Sequence, residues 1–259
     1  EDLMTQSERL LYLIQYLLKE SDETSSFRIP ADEPAKKRLL RSLMNIRPPR
    51  PAAKDFLDVQ DEYLREEQAR KGIVSLADIP LVKPGIYLWQ GDITRLSADA
   101  VVNAANSAML GCFVPCHGCI DNAIHSAAGI QLRLECSRIM EQQNTKEPAG
   151  TAKITNAYNL PCRYVLHTVG PIICEKVTQA DCALLSDCYR SCLELAAQYQ
   201  LNSIAFCCIS TGEFHFPNET AAEIAVQTVI DYQKRNPGME VIFNVFKDRD
   251  YEIYKRLLG

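Results

Sequence analysis

The sequence is poor in two features, long apolar runs and blocks of like charge. In 259 residues no stretch approaches the roughly 20 consecutive apolar residues that a membrane span needs. Its 28 Lys and Arg residues are outnumbered by 33 Asp and Glu residues, and no long block of Lys or Arg occurs. We therefore expect no membrane partner and no broad electrostatic binding of nucleic acid. An anionic ligand would be held by backbone amides instead.

The first residues also lack the basic start and the small-residue cleavage site of a signal peptide, which predicts a cytoplasmic location. The 11 cysteines are odd in number and spread along the chain. Cytosolic thiols of this kind are usually small core residues, so the pattern argues against a disulfide scaffold. Only "GCFVPCHGCIDNAIHSAAG" (111–129) places cysteines and a histidine at metal-ligand spacing. No Ser-His-Asp order and no nucleophile elbow is present.

The N-terminal third has the pattern of three helices. Residues 3–19 carry leucines and isoleucine on one side, and the polar stretch "SDETSS" follows. "ADEPAKKRLLRSLMNI" has acidic residues at its start, as helices favour, and "AKDFLDVQDEYLREEQARKG" ends at Gly72. No chemical motif occurs before about residue 75. We therefore predict a helical N-terminal extension over residues 1–75, which favours a packing or partner-docking role over catalysis.

From residue 85 short apolar strands alternate with helices. This alternation predicts a three-layer α/β/α domain over residues 76–259, with a mixed, largely parallel central sheet. In such sheets ligands bind where the carboxyl ends of strands enter loops. The rule selects four loops, which begin after Gly91, Asn103, His167 and Ser210.

These loops share an ordered set of motifs, namely GDIT (91–94), NAAN (103–106), IHSAAG (124–129), HTVGP (167–171) and STGEFHFP (210–217). In this order they resemble the macrodomain, the ADP-ribose-binding module, over roughly residues 85–257. A lone GDIT would be a weak signal, but five ordered motifs in one α/β frame are specific. The resemblance implies that the four loops form one cleft for ADP-ribose.

The resemblance also implies roles for single residues. Asp92 would accept a hydrogen bond from the adenine amine, Ile93 would offer a backbone amide, and Phe246 would stack on the base. The distal ribose would face Asn103 and Asn106, with Asn106 the better match. Backbone N–H groups of one loop would surround the diphosphate at the start of a helix, where the helix dipole favours an anion; this loop comprises Ser210, Thr211, Gly212, Glu213 and Phe214.

The opening segment departs from the common macrodomain pattern, because "GCFVPCHGC" replaces a glycine-rich run. This replacement resembles a smaller subfamily, the zinc-dependent macrodomains of microbial pathogens, which are linked to sirtuin-type ADP-ribosyltransferases. Its ligand pattern maps onto Cys112, His117 and Cys119. Two cysteines and a histidine suit one Zn²⁺ per chain and leave a fourth position open for water or substrate. Cys116 remains a rival fourth ligand that would close the site, and a metal-free cysteine patch is a further alternative.

The resemblance implies an enzyme, a zinc-dependent hydrolase that removes mono-ADP-ribose from modified protein side chains. Asp121 would orient or deprotonate a water, Asn106 would fix the ribose, and His125 is favoured as a packed, hydrogen-bonded helix residue over a ligand or base. The implied substrate is a lipoyl-carrier-like protein modified by a sirtuin-type transferase, and we expect a monomer. The alternative is a non-catalytic ADP-ribose reader with a structural zinc. A nucleic-acid or redox module is disfavoured by the negative charge and the cysteine pattern.

Overall fold

The computed structural model describes residues 4–21 and 28–259. The predicted polar break "SDETSS" lies, apart from Ser21, outside the described residues. Helices and strands within the described ranges are α1 (Gln6–Glu20), α2 (Glu33–Ile46), α3 (Lys54–Lys71), β1 (Leu81–Lys83), β2 (Ile86–Gln90), β3 (Ala100–Ala104), α4 (Ile120–Ala128), α5 (Gln131–Gln143), β4 (Ala152–Asn156), β5 (Tyr164–Thr168), α6 (Gln179–Gln198), β6 (Ser203–Phe206), α7 (Asn218–Arg235), β7 (Glu240–Val245) and α8 (Asp248–Leu258).

The three predicted N-terminal helices are present and begin and end at the expected signals. Thr5 and Glu8 form a capping box at the start of α1, and the Asp32 side chain caps α2. Gly72, with φ of 84°, terminates α3. The helices share one apolar cluster, made of Leu10, Leu13, Ile14, Leu17, Leu18, Leu40, Leu43, Met44, Phe56, Tyr63 and Leu64, together with Ile130 from beyond them.

The remaining residues form the predicted α/β fold around a seven-stranded mixed sheet with the order β1-β2-β7-β6-β3-β5-β4. The inner strand pairs are parallel, whereas the edge strands β1 and β4 pair antiparallel with β2 and β5. The buried strand and helix faces form one large core, separate from the N-terminal cluster. In the ranges 4–21 and 28–259, no helix has the length and apolar character of a membrane span.

Two elements were not predicted. Strand β1 has only three residues and a mostly exposed pattern, so it carries no apolar run. Helix α5 starts without a side-chain cap, and its buried face contains Arg133 and Ser137 beside Leu132 and Cys136. Because the buried face is half polar, the apolar periodicity that marks a helix is lost.

All five parallel strands end at the same edge of the sheet. There the Gly91 amide donates to the Val245 carbonyl at 2.9 Å, and the Ala105 amide donates to the Thr168 carbonyl at 2.9 Å. The four loops selected from the sequence are therefore brought together, although they are separated by up to about 120 residues along the chain.

Candidate active site

One end of this edge is formed by the turns after β2 and β7. The Gly91 amide binds the last carbonyl of β7, which brings the two turns together. Asp92 Oδ1 accepts hydrogen bonds from the Thr94 amide and hydroxyl at 3.0 and 2.7 Å. The other carboxylate oxygen of Asp92 makes no hydrogen bond within the described part of the chain. Phe246, the residue after β7, is 74% exposed, while Ile93 is buried. This end offers a carboxylate oxygen and an open aromatic face.

The loop before α7 forms a second wall. Ser210 has a φ of 66°, and the Phe216 amide donates to its carbonyl at 2.8 Å, so the loop curls back on itself. A side chain at Gly170 would clash with Ser210 Oγ, which explains the glycine in HTVGP. At Gly212 an added Cβ would meet nothing within 4 Å, so the backbone there borders open space. Helix α7 begins only at Asn218, so the loop precedes the helix and is not its first turn.

Behind the centre of the cleft lies a buried hydrogen-bonded chain. Asn103 and His167 are paired in register on β3 and β5, and both are 0% exposed. The Asn103 amide donates to Asp121 Oδ1 at 2.8 Å and contacts His167 Nδ1 at 3.2 Å. His167 Nε2 lies 2.8 Å from the Thr155 hydroxyl. The chain fixes the orientation of the Asp121 carboxyl, and it places Asn103 behind Asp121 rather than on the cleft surface.

Asp121 itself lies in the first turn of α4 and is 5% exposed. Burial raises its pKa to about 6, against the hydrogen bond from Asn103, which lowers it. Its Oδ1 also lies 3.5 Å from His125 Nε2. Asn106, the other predicted catalytic residue, is half-buried; its amide nitrogen donates to the Gly111 carbonyl at 3.4 Å. Asn106 therefore connects the NAAN turn to the start of the cysteine loop.

The cysteine loop brings its three predicted ligands together. The ligand atoms of Cys112, His117 and Cys119 all lie within 4.8 Å of one another, and Cys112 Sγ is 3.7 Å from His117 Nδ1. Neighbouring sulfur and nitrogen ligands of a tetrahedral zinc ion are separated by about 3.6 Å, given Zn–S of about 2.3 Å and Zn–N of about 2.1 Å. The Cys112–His117 distance is thus compatible with two ligands of one zinc ion, and the three residues form a candidate metal-binding group.

Two further observations concern this ligand group: the burial of Cys119 and a contact between His117 and the loop before α7. Burial raises the pKa of the Cys119 thiol to about 11, so its thiolate needs a nearby positive charge. His117 Nε2 lies 3.7 Å from Glu213 Oε1 in the loop before α7. This contact brings the cysteine loop next to the loop before α7.

Cys116 is directed away from the three ligands. Its φ is 52°, its amide donates to Asn45 Oδ1 at 2.9 Å, and its sulfur donates to the Arg38 carbonyl at 3.3 Å. The Ser42 hydroxyl lies 3.2 Å from the same sulfur. Cys116 is therefore bound to α2, and among the described residues the loop brings three possible ligands together, namely Cys112, His117 and Cys119.

A second group of possible ligand atoms, from His125, Cys136 and His167, lies in the core. It fits a metal poorly. Because Asn103 donates to His167 Nδ1, the network assigns the proton to His167 Nε2, which donates to Thr155. Burial lowers the pKa of His125 and raises that of Cys136, which disfavours a charged cluster.

His125 is packed as expected, but the expected hydrogen bonds are missing. Neither ring nitrogen has a hydrogen-bond partner among the residues that the structure describes. The ring packs instead on the backbone of Gly111, where an added Cβ would lie 2.9 Å from it and where φ is 81°. The His125 ring thus packs against the residue that begins the cysteine loop, Gly111.

The sequence did not indicate that α2 and α5 hold the cysteine loop. The Arg41 guanidinium binds Asn122 Oδ1 at 2.7 and 3.0 Å and the His117 carbonyl at 3.3 Å. Arg133 donates to the Cys112 carbonyl at 3.2 Å and to the Asn45 carbonyl at 2.6 Å. These partners are far apart in sequence, so no local spacing could have revealed them. The N-terminal helices are part of the site's support.

The chain is similar to a protein-family model, to curated relatives and to solved structures. The family model described as "Macro domain" matches residues 102–225. A protein-ADP-ribose hydrolase of Treponema medium is 55% identical over 99% of this chain and all of its own length. A protein-ADP-ribose hydrolase of Staphylococcus aureus (strain MSSA476) is 47% identical over 98% of this chain and 97% of its own. The crystal structure of a Trypanosoma brucei macrodomain in complex with ADP-ribose is also similar, with a TM-score of 0.66, 31% identity and coverage of 85% of this chain and 95% of that one.

The α/β frame and the four-loop cleft are thus those of a macrodomain. The chain belongs to the macrodomain family, and within it to the group whose full-length relatives are named protein-ADP-ribose hydrolases.

Proposed function

We propose that this protein is a zinc-dependent hydrolase that removes mono-ADP-ribose from modified protein side chains. The observation that carries the proposal is the ligand group of Cys112, His117 and Cys119, formed in the cleft of an ADP-ribose hydrolase family member. It faces Glu213 and lies two residues before Asp121, where the distal ribose of ADP-ribose would be placed.

Binding would begin at the far end of the cleft. The free oxygen of Asp92 would accept the adenine amine, Ile93 would offer its backbone amide, and Phe246 would cover the exposed base. The backbone amides of Ser210–Phe214 would surround the diphosphate, which allows an acidic protein to hold a dianion. Such a bound ligand extends from the adenine end towards the cysteine loop.

The donor set suits zinc, because two thiolates and one imidazole at these distances leave a fourth position for water or substrate. Zinc bound there would supply Lewis-acid polarisation and a more acidic water. Asp121 would orient that water or accept its proton, with its carboxyl held in place by Asn103. Asn106 would fix the ribose so that the bond at C1″ lies beside the metal.

The substrate protein is proposed from the resemblance to zinc-dependent macrodomains alone. On that ground the substrate is a lipoyl-carrier-like protein that a sirtuin-type transferase has modified. The enzyme that removes the ADP-ribose would be a monomer. Its residues 1–75 would form a helical extension to the domain of residues 76–259.

The experiment compares wild type with Cys119→Ala and Asp121→Ala on an auto-ADP-ribosylated acceptor protein. Bound metal is measured by mass spectrometry, ADP-ribose binding by calorimetry and released ADP-ribose by chromatography. Cys174→Ala, an exposed free cysteine, is the matched control. We expect Cys119→Ala to lose zinc and release while it keeps ADP-ribose binding. Release at the wild-type rate by folded, metal-free Cys119→Ala would refute a catalytic zinc. If the zinc-loaded wild type released no ADP-ribose, the alternative of a non-catalytic ADP-ribose-binding protein would be favoured.

A further inference from the structure

The cysteine loop contains one thiol more than the proposed metal site uses. Cys116 and Cys119 are separated by two residues, which is a spacing typical of structural zinc sites. A third thiolate on the metal would complete a four-ligand set and leave no position for water or substrate. The open site that the proposed function requires therefore depends on where the fold holds Cys116.

Cys116 lies in a backbone conformation that needs support. Its φ of 52° is in the left-handed region, which is unfavourable for a residue with a Cβ. Two residues later, an added Cβ at Gly118 would meet nothing within 4 Å, so this turn of the loop borders open space. The conformation of Cys116 thus depends on contacts that come from outside the loop.

Helix α2 supplies these contacts. The Cys116 amide donates to Asn45 Oδ1 at 2.9 Å. The Cys116 sulfur donates to the Arg38 carbonyl at 3.3 Å and lies 3.2 Å from the Ser42 hydroxyl. Arg38, Ser42 and Asn45 are three or four residues apart, so they lie on one face of the helix. That face binds both the backbone and the side chain of Cys116.

Asn45 is itself fixed by the macrodomain. It is 1% exposed, and its Nδ2 donates to the Ser126 hydroxyl of α4 at 2.9 Å. The Ser126 hydroxyl in turn donates to Asn122 Oδ1 at 3.2 Å, so it accepts from Asn45. The main-chain carbonyl of Asn45 accepts from Arg133 at 2.6 Å. Because the amide nitrogen is engaged with α4, the amide oxygen faces the cysteine loop as an acceptor with a fixed orientation.

We propose that Asn45 is a positioning residue that keeps Cys116 off the metal and thereby holds the fourth coordination position open. It acts through the backbone of Cys116. The inference rests on the proposed function, because it takes a zinc ion bound by Cys112, His117 and Cys119. It gives the N-terminal helices a part in the reaction beyond support of the loop, since they select an open zinc site over a closed one.

The test uses the full chain, with Co²⁺ as a spectroscopic probe in place of Zn²⁺. Co²⁺ accepts thiolate ligands, and the charge-transfer absorption of the complex grows with the number of thiolates bound. Release of ADP-ribose from the modified acceptor protein is measured in parallel with Zn²⁺. Wild type and Cys116→Ala should share one charge-transfer intensity and one release rate. Asn45→Ala should bind the metal with a higher charge-transfer intensity and release ADP-ribose at least about tenfold more slowly.

The double variant Asn45→Ala/Cys116→Ala separates positioning from general support. It has no thiol at position 116, so its charge-transfer intensity and its release rate should return to those of wild type. An asparagine that only stabilises the loop would not be rescued by this second change. Asn202→Ala, at an exposed asparagine, is the matched control and should behave as wild type. If Asn45→Ala does not fold, Ser42→Ala replaces it, because it removes the hydroxyl beside the Cys116 sulfur and should change both readouts in the same direction.

The outcomes separate this proposal from the proposed function. If Cys116→Ala lowers the charge-transfer intensity, Cys116 is a ligand in wild type and the positioning role is overturned. The role is also overturned if Asn45→Ala keeps the wild-type spectrum, loses the metal, or stays slow after Cys116 is replaced, and in these cases the proposed function stands. If wild type binds neither Co²⁺ nor Zn²⁺, the proposed function fails first.

Discussion

The Arg133 guanidinium is the strongest single link between the N-terminal helices and the cysteine loop. It is 5% exposed and donates to the carbonyls of Leu110, Asn45 and Arg47 at 2.7, 2.6 and 2.7 Å, and to that of Cys112 at 3.2 Å. It thereby satisfies carbonyls at the end of α2, which a helix leaves without internal partners, and two carbonyls of the loop. The guanidinium also stacks over the Phe113 ring at 3.8 Å.

Replacing Arg133 with Met keeps the apolar stem and removes all of these bonds. Four charge-assisted hydrogen bonds at about 1.5 kcal/mol each contribute about 6 kcal/mol. The variant recovers about 2 kcal/mol, because the charged group no longer has to be desolvated. We therefore expect Arg133→Met to lower the free energy of unfolding by about 4 kcal/mol. For a chain of this size that corresponds to a fall in Tm of roughly 10 °C.

The assay is urea unfolding followed by circular dichroism, with thermal melting as a second measure. The matched control is Arg138→Met, since Arg138 lies exposed on the same helix. It should change stability by no more than about 0.5 kcal/mol. Equal stability of the two variants would refute the assignment of Arg133 as a structural link. A large loss in both would mean that α5 itself, rather than the guanidinium, is sensitive.

Three further outcomes follow from the site. Gly111→Ala should lower stability and weaken zinc binding by about tenfold, because Gly111 has a φ of 81° and a Cβ would press on the His125 ring at 2.9 Å. If the cysteine loop binds zinc as proposed, Arg41→Met should weaken zinc binding by about tenfold with little change in ADP-ribose Kd, since Arg41 holds Asn122 and the cysteine loop. Burial lowers the pKa of His167 to about 3, so the unfolded chain takes up a proton below about pH 6.5 that the folded protein refuses. The stability difference between wild type and His167→Gln should therefore move against wild type by about 1.4 kcal/mol per pH unit as pH falls from about 6.5 towards 4.

Each of these has a control measurement. Gly118→Ala is the match for the glycine, because an added Cβ there meets nothing within 4 Å. Arg38→Met, exposed on the same helix, is the match for Arg41. Zinc affinity is measured by competition with a chelator, and the pH series by thermal melting. Wild-type zinc affinity in Gly111→Ala or Arg41→Met, or a pH-independent difference for His167→Gln, would contradict the respective prediction.

Much of the fold could be read from local signals. Capping residues and helix stops lie within a few positions of one another, as Thr5 with Glu8 and Gly72 after α3 show. The buried strands could be predicted from their apolar runs alone. Because the strands are parallel, the loops that carry the motifs were expected at one edge of the sheet. The residues of the cysteine loop were recognised as a ligand group because they are close in sequence. Strand β1 was not predicted because most of its residues are exposed, and helix α5 was not predicted because half of its buried residues are polar.

The amino-acid sequence alone thus determined the class of fold, the order of the cleft loops and a candidate ligand group over residues 112–119, in which Cys116 remained a rival to Cys112, His117 and Cys119. The tertiary structure decided which way the Cys116 side chain faces. Its φ of 52° lies in the left-handed region, which a sequence usually signals with a glycine, and its sulfur is held by α2. It also decided that Arg41 and Arg133 belong to the surroundings of the site. Their contacts join residues that are far apart in the chain, and burial and hydrogen bonding of that kind arise only when the helices pack together.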